Sequence, residues 1–262
     1  MMDGQDRKFI FDALQSIEGY IDPPDALVFS TLLHAQTRQN MAGALAEIGV
    51  YYGRSYYLMR KIAGNDSPIL AIDLFDQETD ADGQAQQYQR FLENGRRLGL
   101  SVDENLVIKG DSTQLRASDI TDRVGEVRFF SIDGGHRLHH VAADSALAMA
   151  TLADHGVIVF DDTFNPAWPE VTVGVADFLR THQDRFSCFC MTKYKTYVCR
   201  TAHRAFYHDI IASAAGLAAF EQTDTDFLGS RVIRLHNPIG RRMLYELMCR
   251  SGMRAFSERA YR

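Results

Sequence analysis

Short apolar runs alternate with longer amphipathic segments along most of the chain, from residue 45 to residue 182. The runs have the length of buried strands, and the segments between them repeat apolar residues at helical spacing. This alternation is typical of βαβ units, in which helices cover both faces of a parallel sheet. It predicts strands at 45–48, 69–73, 105–108, 128–132 and 156–160, and helices at 54–63, 84–98, 138–153 and 171–182.

Two further apolar runs, 186–191 and 196–199, are separated by a short polar connection. A connection of this length joins antiparallel strands, because a parallel crossover needs about a dozen residues or more. Together, the runs predict an α/β fold. It is a Rossmann-like, doubly wound and mostly parallel sheet of seven strands that ends in an antiparallel hairpin.

The segments outside this sheet predict two additions to it. Residues 6–38 have a helical periodicity that breaks at Pro23, which predicts an N-terminal helical cap over residues 1–40. The core then covers residues 41–200, and residues 201–262 form a C-terminal α/β extension. Within the extension, the pattern predicts an amphipathic segment at 203–221, a strand at 231–235 and a helix at 239–250.

The composition limits the classes of partner. A net charge of -6 and a pI near 5.8 disfavour general binding to nucleic acid or to an anionic membrane surface, since phosphate groups attract a basic face. No apolar run is long enough to cross a bilayer, and the polar N-terminus is unlike a signal peptide. We therefore expect a cytoplasmic protein with a small-molecule partner, no nucleic acid and no membrane. The apolar positions of 239–250 fit packing on the core or on a second subunit, so a homo-oligomer stays open.

Acidic residues follow directly after the fourth and fifth predicted strands. Asp133 ends the apolar run 129–132, and Asp161 and Asp162 end the run 157–160. Because ligands of open parallel sheets bind beyond the carboxyl ends of the strands, these carboxylates are expected to meet in one crevice. Such acids repel one another unless a cation lies between them, and oxygen ligands favour a hard cation such as Mg²⁺. The pattern predicts a divalent metal site.

A glycine-bearing turn follows the first predicted strand. Gly49 and Gly53 let the backbone pass close to a ligand, and the helix that starts next offers free N–H groups to an anionic group. Their G-x-x-x-G spacing lacks the G-x-G-x-x-G fingerprint of dinucleotide-binding proteins. Asp73 ends the second strand, where an acid accepts hydrogen bonds from ribose hydroxyls. Asp111 and Ser112 form a polar turn on the same rim, which fits either contact with an adenine edge or a simple cap.

These residues resemble the motifs of class I S-adenosylmethionine-dependent methyltransferases. That family has E-x-G-x-x-x-G after its first strand and an acid at the end of its second, as at Glu47, Gly49, Gly53 and Asp73. The later motifs I-D-G-G-H and G-V-I-V-F-D-D resemble its metal-dependent O-methyltransferase branch, which includes catechol-type enzymes and relatives of macrocin O-methyltransferase. The resemblance covers residues 40–200, where the motifs at the strand ends keep the family's order.

The resemblance implies a site for S-adenosylmethionine at the ends of the first strands. Gly49 and Gly53 would line its methionine part, whose carboxylate Ser55 would bind. Asp73 would hold the ribose, and Glu47 would order the turn. The cofactor-binding set implied in this way is Glu47, Gly49, Tyr51, Gly53, Ser55, Asp73, Asp111, Ser112 and Asp133, with Asp111 and Ser112 near the adenine.

At the reacting end, the resemblance implies the metal ligands and a base. Asp133, Asp161 and Asp162 match the metal-ligand positions of the branch, with aspartate where catechol-type enzymes have asparagine in the third position. His136 takes the position of the general base, a role that histidine can fill near neutral pH.

Other assignments stay open around this centre. His139 and His140 lie close enough in sequence to replace His136 as base, or to join it in a zinc site, although the surrounding oxygen ligands disfavour zinc. The irregular segment 163–169, which contains Trp168, fits the wall or lid of an acceptor site.

The implied activity is Mg²⁺-dependent transfer of a methyl group from S-adenosylmethionine to a hydroxyl of a sugar or secondary-metabolite acceptor, with His136 as general base. Two alternatives stay open. One is an oxygenation-associated protein similar to cephalosporin hydroxylases, and the other is a non-catalytic nucleotide-binding protein. The cluster of aspartates disfavours the last, because a scaffold has no need of buried charges.

Overall fold

One mixed β-sheet organises the part of the chain that the computed structural model describes, which is residues 4–76, 86–253 and 256. In chain order, its nine strands are β1 (Ala44–Ile48), β2 (Ile69–Asp73), β3 (Val107–Lys109), β4 (Val127–Ile132), β5 (Leu152–Phe160), β6 (Phe186–Met191), β7 (Thr196–Arg200), β8 (Glu221–Phe227) and β9 (Ser230–His236).

The strands lie in the order β3-β2-β1-β4-β5-β7-β6-β9-β8. Strands β1 to β5 pair with one another in parallel. Strand β7 pairs antiparallel with both β5 and β6. These strands confirm the predicted doubly wound α/β fold and its antiparallel hairpin.

The sheet continues beyond the seven predicted strands. Strand β9 pairs parallel with β6, and β8 pairs antiparallel with β9. The strand predicted at 231–235 is β9. The pattern does not predict β8, because residues 221–227 are mostly polar and exposed and have no alternation of apolar positions. The predicted number of seven strands is therefore too low, since nine strands pair within the described residues.

Helices connect the parallel strands and cover both faces of the sheet. In the described residues they are α1 (Gly4–Lys8), α2 (Pro23–Arg38), α3 (Arg54–Ala63), α4 (Gln87–Leu98), α5 (Ala117–Val124), α6 (Leu138–Thr151), α7 (Pro169–Thr181), α8 (Arg204–Ser213) and α9 (Ile239–Arg250). A π-helical turn (Phe9–Ala13) and a 3₁₀ turn (Leu14–Ser16) continue α1.

Several helix boundaries differ from the prediction. Helix α6 ends at Thr151 because Leu152 already pairs with Val127 at the start of β5. Helix α4 begins at Gln87, and residues 84 and 85 lie outside the described part of the chain. The pattern does not predict α5, which is too short to display a helical period.

Alternate strand residues point to opposite faces of the sheet, and each face has its own core. On one face, Leu45 and Phe129 belong to a cluster with Phe29 of α2. On the other face, Phe130 clusters with Val175 of α7. Burial on both faces explains why the central parallel strands are continuous apolar runs.

No helix in the described residues is both long enough and apolar enough to cross a membrane. Helix α9 nevertheless has an exposed apolar face, where Ile239, Met243 and Leu247 are 66% to 68% exposed. The structure therefore does not pack this face on the protein's own core. Its packing on a second subunit stays a prediction.

Candidate functional site

A cavity of about 870 Å³ opens at the carboxyl edge of the sheet. Residues that follow β1, β2, β4 and β5 line it, beside the point where the strand order changes direction. Residues 19–22, the turn 193–195 and Tyr245 with Cys249 of α9 complete its wall. Its volume falls in the upper part of the range of small-molecule sites, about 300–1,000 Å³.

The turn after β1 requires glycine at residue 49. Gly49 has a φ of 81°, and a Cβ atom there would lie 1.7 Å from the carbonyl oxygen of Asp133. The missing side chain lets the turns after β1 and β4 touch. Gly49 and Asp133 consequently lie next to each other on the cavity wall.

Gly53 serves the packing of helices in this structure. Its φ is 90°, and a Cβ atom there would lie 2.5 Å from the ring of Tyr57 and 2.7 Å from that of Phe91. Ser55, in the first turn of α3, lines the cavity, whereas Gly53 is not among the described residues that line it. Contact of Gly53 with a cofactor stays a prediction.

Asp73 lines the cavity at the end of β2, and backbone N–H groups fix its carboxylate. Tyr51, in the left-handed region with a φ of 51°, donates its N–H to Oδ2 at 2.8 Å. Phe75 donates its N–H to Oδ1, also at 2.8 Å. Burial raises the pKa of Asp73, although these hydrogen bonds oppose the rise. Tyr51 and Asp73 are thus brought together, as predicted residues of one site.

Glu47 is fully buried in β1 and is not among the described residues that line the cavity. Burial raises the pKa of its carboxyl to about 8, and the nearby Ser55 hydroxyl and Lys195 ammonium lower it only in part. Neither carboxyl oxygen makes a hydrogen bond to the described residues. Glu47 is therefore mainly protonated at neutral pH and sits behind the glycine turn instead of in the open cavity.

Asp111 caps the 3₁₀ turn Ser112–Gln114 on another part of the rim. Its Oδ1 accepts hydrogen bonds from the N–H of Thr113 at 2.9 Å and from the Thr113 hydroxyl at 2.8 Å. These bonds lower the pKa of Asp111. Asp111 therefore acts as a cap, which is one of the two roles that the sequence left open. Asp111 and Ser112 also line the cavity, and their contact with an adenine stays a prediction.

Asp133, His136 and Asp162 form a cluster that suits a divalent ion. One ligand atom of each lies within 4.8 Å of the others. His136 Nε2 lies 2.9 Å from Asp162 Oδ2, and Asn165 donates to Asp162 Oδ1 at 2.6 Å. Carboxylate oxygens with an imidazole at this spacing are a donor set that divalent cations accept.

The pKa values of the two acids of this cluster shift in opposite directions. Burial, with repulsion from Asp161, raises the pKa of Asp133 well above its ordinary value. Burial also raises the pKa of Asp162, but hydrogen bonds from His136 and Asn165 outweigh it and bring that pKa below its ordinary value. A cation bound between the two acids would favour the charged form of both.

The neighbouring histidines do not join this cluster. His140 lines the cavity, and its ring centroid lies 4.0 Å from that of His139. Burial, with the nearby His139, lowers the pKa of His140. Within the described part of the chain, neither ring belongs to a group of three potential metal ligands. The zinc alternative therefore has no support in the geometry.

Asp161 pairs with Lys195 instead of joining the cluster. Its Oδ1 accepts the N–H of Asp162 at 2.8 Å, and its Oδ2 forms an ion pair with Lys195 Nζ. Burial lowers the pKa of Lys195, but Asp161 and Asp133 raise it more, so the ammonium stays charged. The metal set predicted from the sequence thus differs from the cluster in the structure. The role of Asp161 as a ligand stays a prediction.

The sequence prediction does not include two residues of this site, Lys195 and Asp25. Asp25, from α2, accepts hydrogen bonds from the Thr192 hydroxyl at 2.7 Å and from the Tyr197 hydroxyl at 2.6 Å. Burial raises its pKa to about 7, against the attraction of Lys195. Lys195 lies in the short polar connection of the predicted hairpin, which gives no indication of its partner, and a single acid in a helix gives none either.

Residues 46–163 match the family described as a methyltransferase domain. The matched stretch begins in β1 and ends just after Asp162. It contains the glycine turn, Asp73 and the cluster of Asp133, His136 and Asp162.

Two solved structures share the fold. One is that of the O-methyltransferase NovP, with 16% identity and a TM-score of 0.54, where the match covers 66% of this chain and 78% of that chain. The other is cofactor-bound Rv0187 from MTB, with 15% identity and a TM-score of 0.51, where the match covers 75% of this chain and 88% of that chain. No curated protein matches this chain.

Proposed function

We propose, from the premise that residues 46–163 are a class I S-adenosylmethionine-dependent methyltransferase domain, that the protein methylates a hydroxyl group of a sugar or other secondary-metabolite acceptor. The observation that carries this proposal is the cluster of Asp133, His136 and Asp162 in the same cavity as the glycine turn. These side chains offer metal ligands and a base beside a wall suited to the cofactor.

S-adenosylmethionine would lie along the ends of β1, β2 and β3. The start of α3 suits its carboxylate, because the first N–H groups of a helix attract an anion. Asp73 supports the position of the ribose, since Tyr51 and Phe75 fix its carboxylate. The cavity-lining residues that would contact the cofactor are Gly49, Tyr51, Ser55, Asp73, Asp111, Ser112 and Asp133.

Asp133 and Asp162 would hold the divalent cation, with Mg²⁺ as the expected ion. When bound, the ion supplies positive charge that favours the deprotonated form of an acceptor hydroxyl. Asn165 orients Asp162 for this role through the hydrogen bond to Oδ1.

His136 would accept the proton of the acceptor hydroxyl. Its Nε2 bonds to Asp162, so in the neutral ring with a proton on Nε2, Nδ1 is the proton acceptor. S-adenosylmethionine, when bound, would supply the methyl group and leave as S-adenosylhomocysteine, with the electron pair of the broken bond on sulfur. Nδ1 of His136 would take the proton of the acceptor hydroxyl as its oxygen gains the methyl group.

The acceptor would contact tyrosines of the cavity wall, which includes Tyr20, Tyr194 and Tyr245. A tyrosine offers both an apolar ring and a hydroxyl that hydrogen-bonds. Such a wall suits an acceptor that has apolar surface as well as hydroxyl groups, which supports the sugar or secondary-metabolite class.

Calorimetric titration with S-adenosylmethionine and with NAD, each with and without Mg²⁺, tests the cofactor. We expect the protein to bind S-adenosylmethionine and not NAD. Asp73→Asn should weaken the binding of S-adenosylmethionine by about tenfold, the effect of one hydrogen bond to a charged group. Asp76→Asn, at an exposed position close by, is the matched control and should change nothing. Tight NAD binding without a response to S-adenosylmethionine would overturn the proposed cofactor.

Release of S-adenosylhomocysteine in the presence of a panel of sugars, phenols and other hydroxyl compounds tests the reaction and identifies the acceptor class. The proposal predicts that product forms only with a hydroxyl acceptor and that chelation of the divalent ion stops it. Turnover that persists after complete chelation would remove the metal from the mechanism.

A further inference from the structure

Lys195 gives the acidic edge of the sheet a cation that belongs to the protein. Its side chain is only 5% exposed, and it forms an ion pair with Asp161. We propose that Lys195 holds Asp161 out of the metal site, so that a divalent ion is bound by Asp133 and Asp162 without Asp161. This inference rests on the proposed metal dependence. It adds that two of the three acids bind the ion and that the third pairs with the lysine.

Both carboxylate oxygens of Asp161 already have partners within the protein. One oxygen accepts the N–H of Asp162, and the other pairs with the Lys195 ammonium. The backbone turns sharply between the two acids, because Asp162 has a φ of 55°. Asp162 therefore reaches His136 while Asp161 reaches the lysine.

Recruitment of Asp161 by an ion would leave Lys195 without its closest partner. A buried charge that loses its partner is strongly destabilising, since the remaining charge stays out of water. The carboxyl side chain of Asp161 is itself only 13% exposed. Keeping the ion pair and binding the ion with the other two acids avoids this cost.

Thr192, directly after β6, and Tyr197 of β7 fix the turn that carries Lys195. The hydroxyls of Thr192 and Tyr197 both donate to Asp25 on α2. Lys195 thus faces acids from three separate segments, namely Asp161, Asp133 and Asp25. Its charge offsets their mutual repulsion, so these segments can pack together whether or not an ion is bound.

Binding of Mn²⁺ to the full-length protein, without cofactor or acceptor, tests the inference through electron paramagnetic resonance. We expect the paired change of Asp161→Asn with Lys195→Met, which removes the ion pair as a whole, to keep the Mn²⁺ affinity within about threefold of the unchanged protein, because Asp161 is not a ligand. Asp162→Asn should lose at least about tenfold, as expected for one lost carboxylate ligand. Equal losses in the two variants would overturn the inference.

Lys195→Met provides the opposite test. It frees the Asp161 carboxylate, so Mn²⁺ should bind at least about tenfold more tightly, and adding Asp161→Asn should return the affinity to its starting value. Lys8→Met, at an exposed position in α1 that does not line the cavity, is the matched control for loss of a lysine. An unchanged affinity in Lys195→Met would overturn the inference. If Lys195→Met alone does not fold, the comparison of the paired variant with Asp162→Asn decides.

The same titrations separate this inference from the proposed function. If the unchanged protein binds no Mn²⁺, the proposed metal dependence fails. In that case, the idea that Lys195 holds Asp161 out of the site stands only if Lys195→Met acquires Mn²⁺ binding and the addition of Asp161→Asn removes it. Otherwise the inference fails as well.

Discussion

Trp168 lies flat against His136, with the two ring centroids 4.2 Å apart and the ring planes 11° from parallel. Asp162 holds the same imidazole at its edge through Nε2. The stacked indole therefore limits tilting of the imidazole, and the hydrogen bond limits its rotation. A proposed base that is held on its face and at its edge needs little reorganisation to accept a proton.

Trp168→Ala should slow methyl transfer by about three- to tenfold, because a stacked aromatic pair contributes about 0.5–1.5 kcal/mol. Thermal stability should change little, since the tryptophan is 44% exposed. Trp168→Phe keeps a ring at this position and should recover most of the rate. Release of S-adenosylhomocysteine measures both variants, and a Phe variant as slow as the Ala variant would contradict a role in stacking.

His136→Ala should reduce kcat by about 10²–10⁴-fold, the usual contribution of a general base. The Kd values for S-adenosylmethionine and Mn²⁺ should change by less than about threefold, because Asp133 and Asp162 remain. Stopped assays and calorimetry provide these values. Unchanged turnover would assign the base elsewhere, and a large loss of Mn²⁺ affinity would make His136 a ligand. His139→Ala, outside the cluster, is the control for loss of a nearby imidazole.

Gly49→Ala should destabilise the protein by roughly 3 kcal/mol or more, because its methyl group would overlap a backbone carbonyl that cannot move aside like a side chain. Gly99→Ala is the matched control. Gly99 also has a positive φ, 66°, but a Cβ atom there meets nothing within 4 Å. Its cost should be only the backbone strain, about 1–2 kcal/mol. Urea unfolding compares the two, and equal losses would show that the contact with Asp133 is not tight.

Stability should depend on pH through Glu47. The pKa of this carboxyl is about 8 in the folded protein, above its ordinary value of 4.5. Between these values the unfolded chain loses the proton and the folded chain keeps it. The free energy of unfolding therefore falls as pH rises from about 5 to 8, by up to about 1.4 kcal/mol per pH unit. Glu47 adds no such dependence below its unfolded pKa, where both states are protonated.

Glu47→Gln should remove this contribution, because glutamine cannot ionise. Urea unfolding at pH 6 and pH 8 should show a smaller loss of stability in the variant than in the unchanged protein. Glu93→Gln, at an exposed position on α4, controls for the removal of an acid from the chain. The same pH dependence in all three proteins would contradict the buried, protonated state of Glu47.

The central sheet was predictable because its strands are buried on both faces. Burial of both faces selects apolar residues at most positions, which gives the largely apolar runs of β1, β2, β4 and β5. Strand β8 was not predictable in this way, because it is mostly polar and exposed. It lies at the outer edge of the sheet with Glu221, Asp224 and Asp226 in contact with water, so hydrogen bonding to β9 defines it and no apolar pattern does.

The meeting of the acids was also predictable, since the carboxyl ends of neighbouring parallel strands share one edge. The partner of each acid was not. Asp161 and Asp162 are adjacent, and successive side chains at a strand end point in different directions. One acid finds Lys195, which lies 34 positions further along the chain, and the other finds His136. Only the folded hairpin brings that lysine to the end of β5.

The hydrogen bonds of Asp25 join parts of the polypeptide that are made at very different times. Its partners Thr192 and Tyr197 follow 167 and 172 positions later. During synthesis, most of the chain must therefore emerge after α2 before this contact can form. Contacts of such long sequence separation are slow to form. The wall of the cavity is thus completed late in folding, and a nascent chain that lacks the hairpin has only part of it.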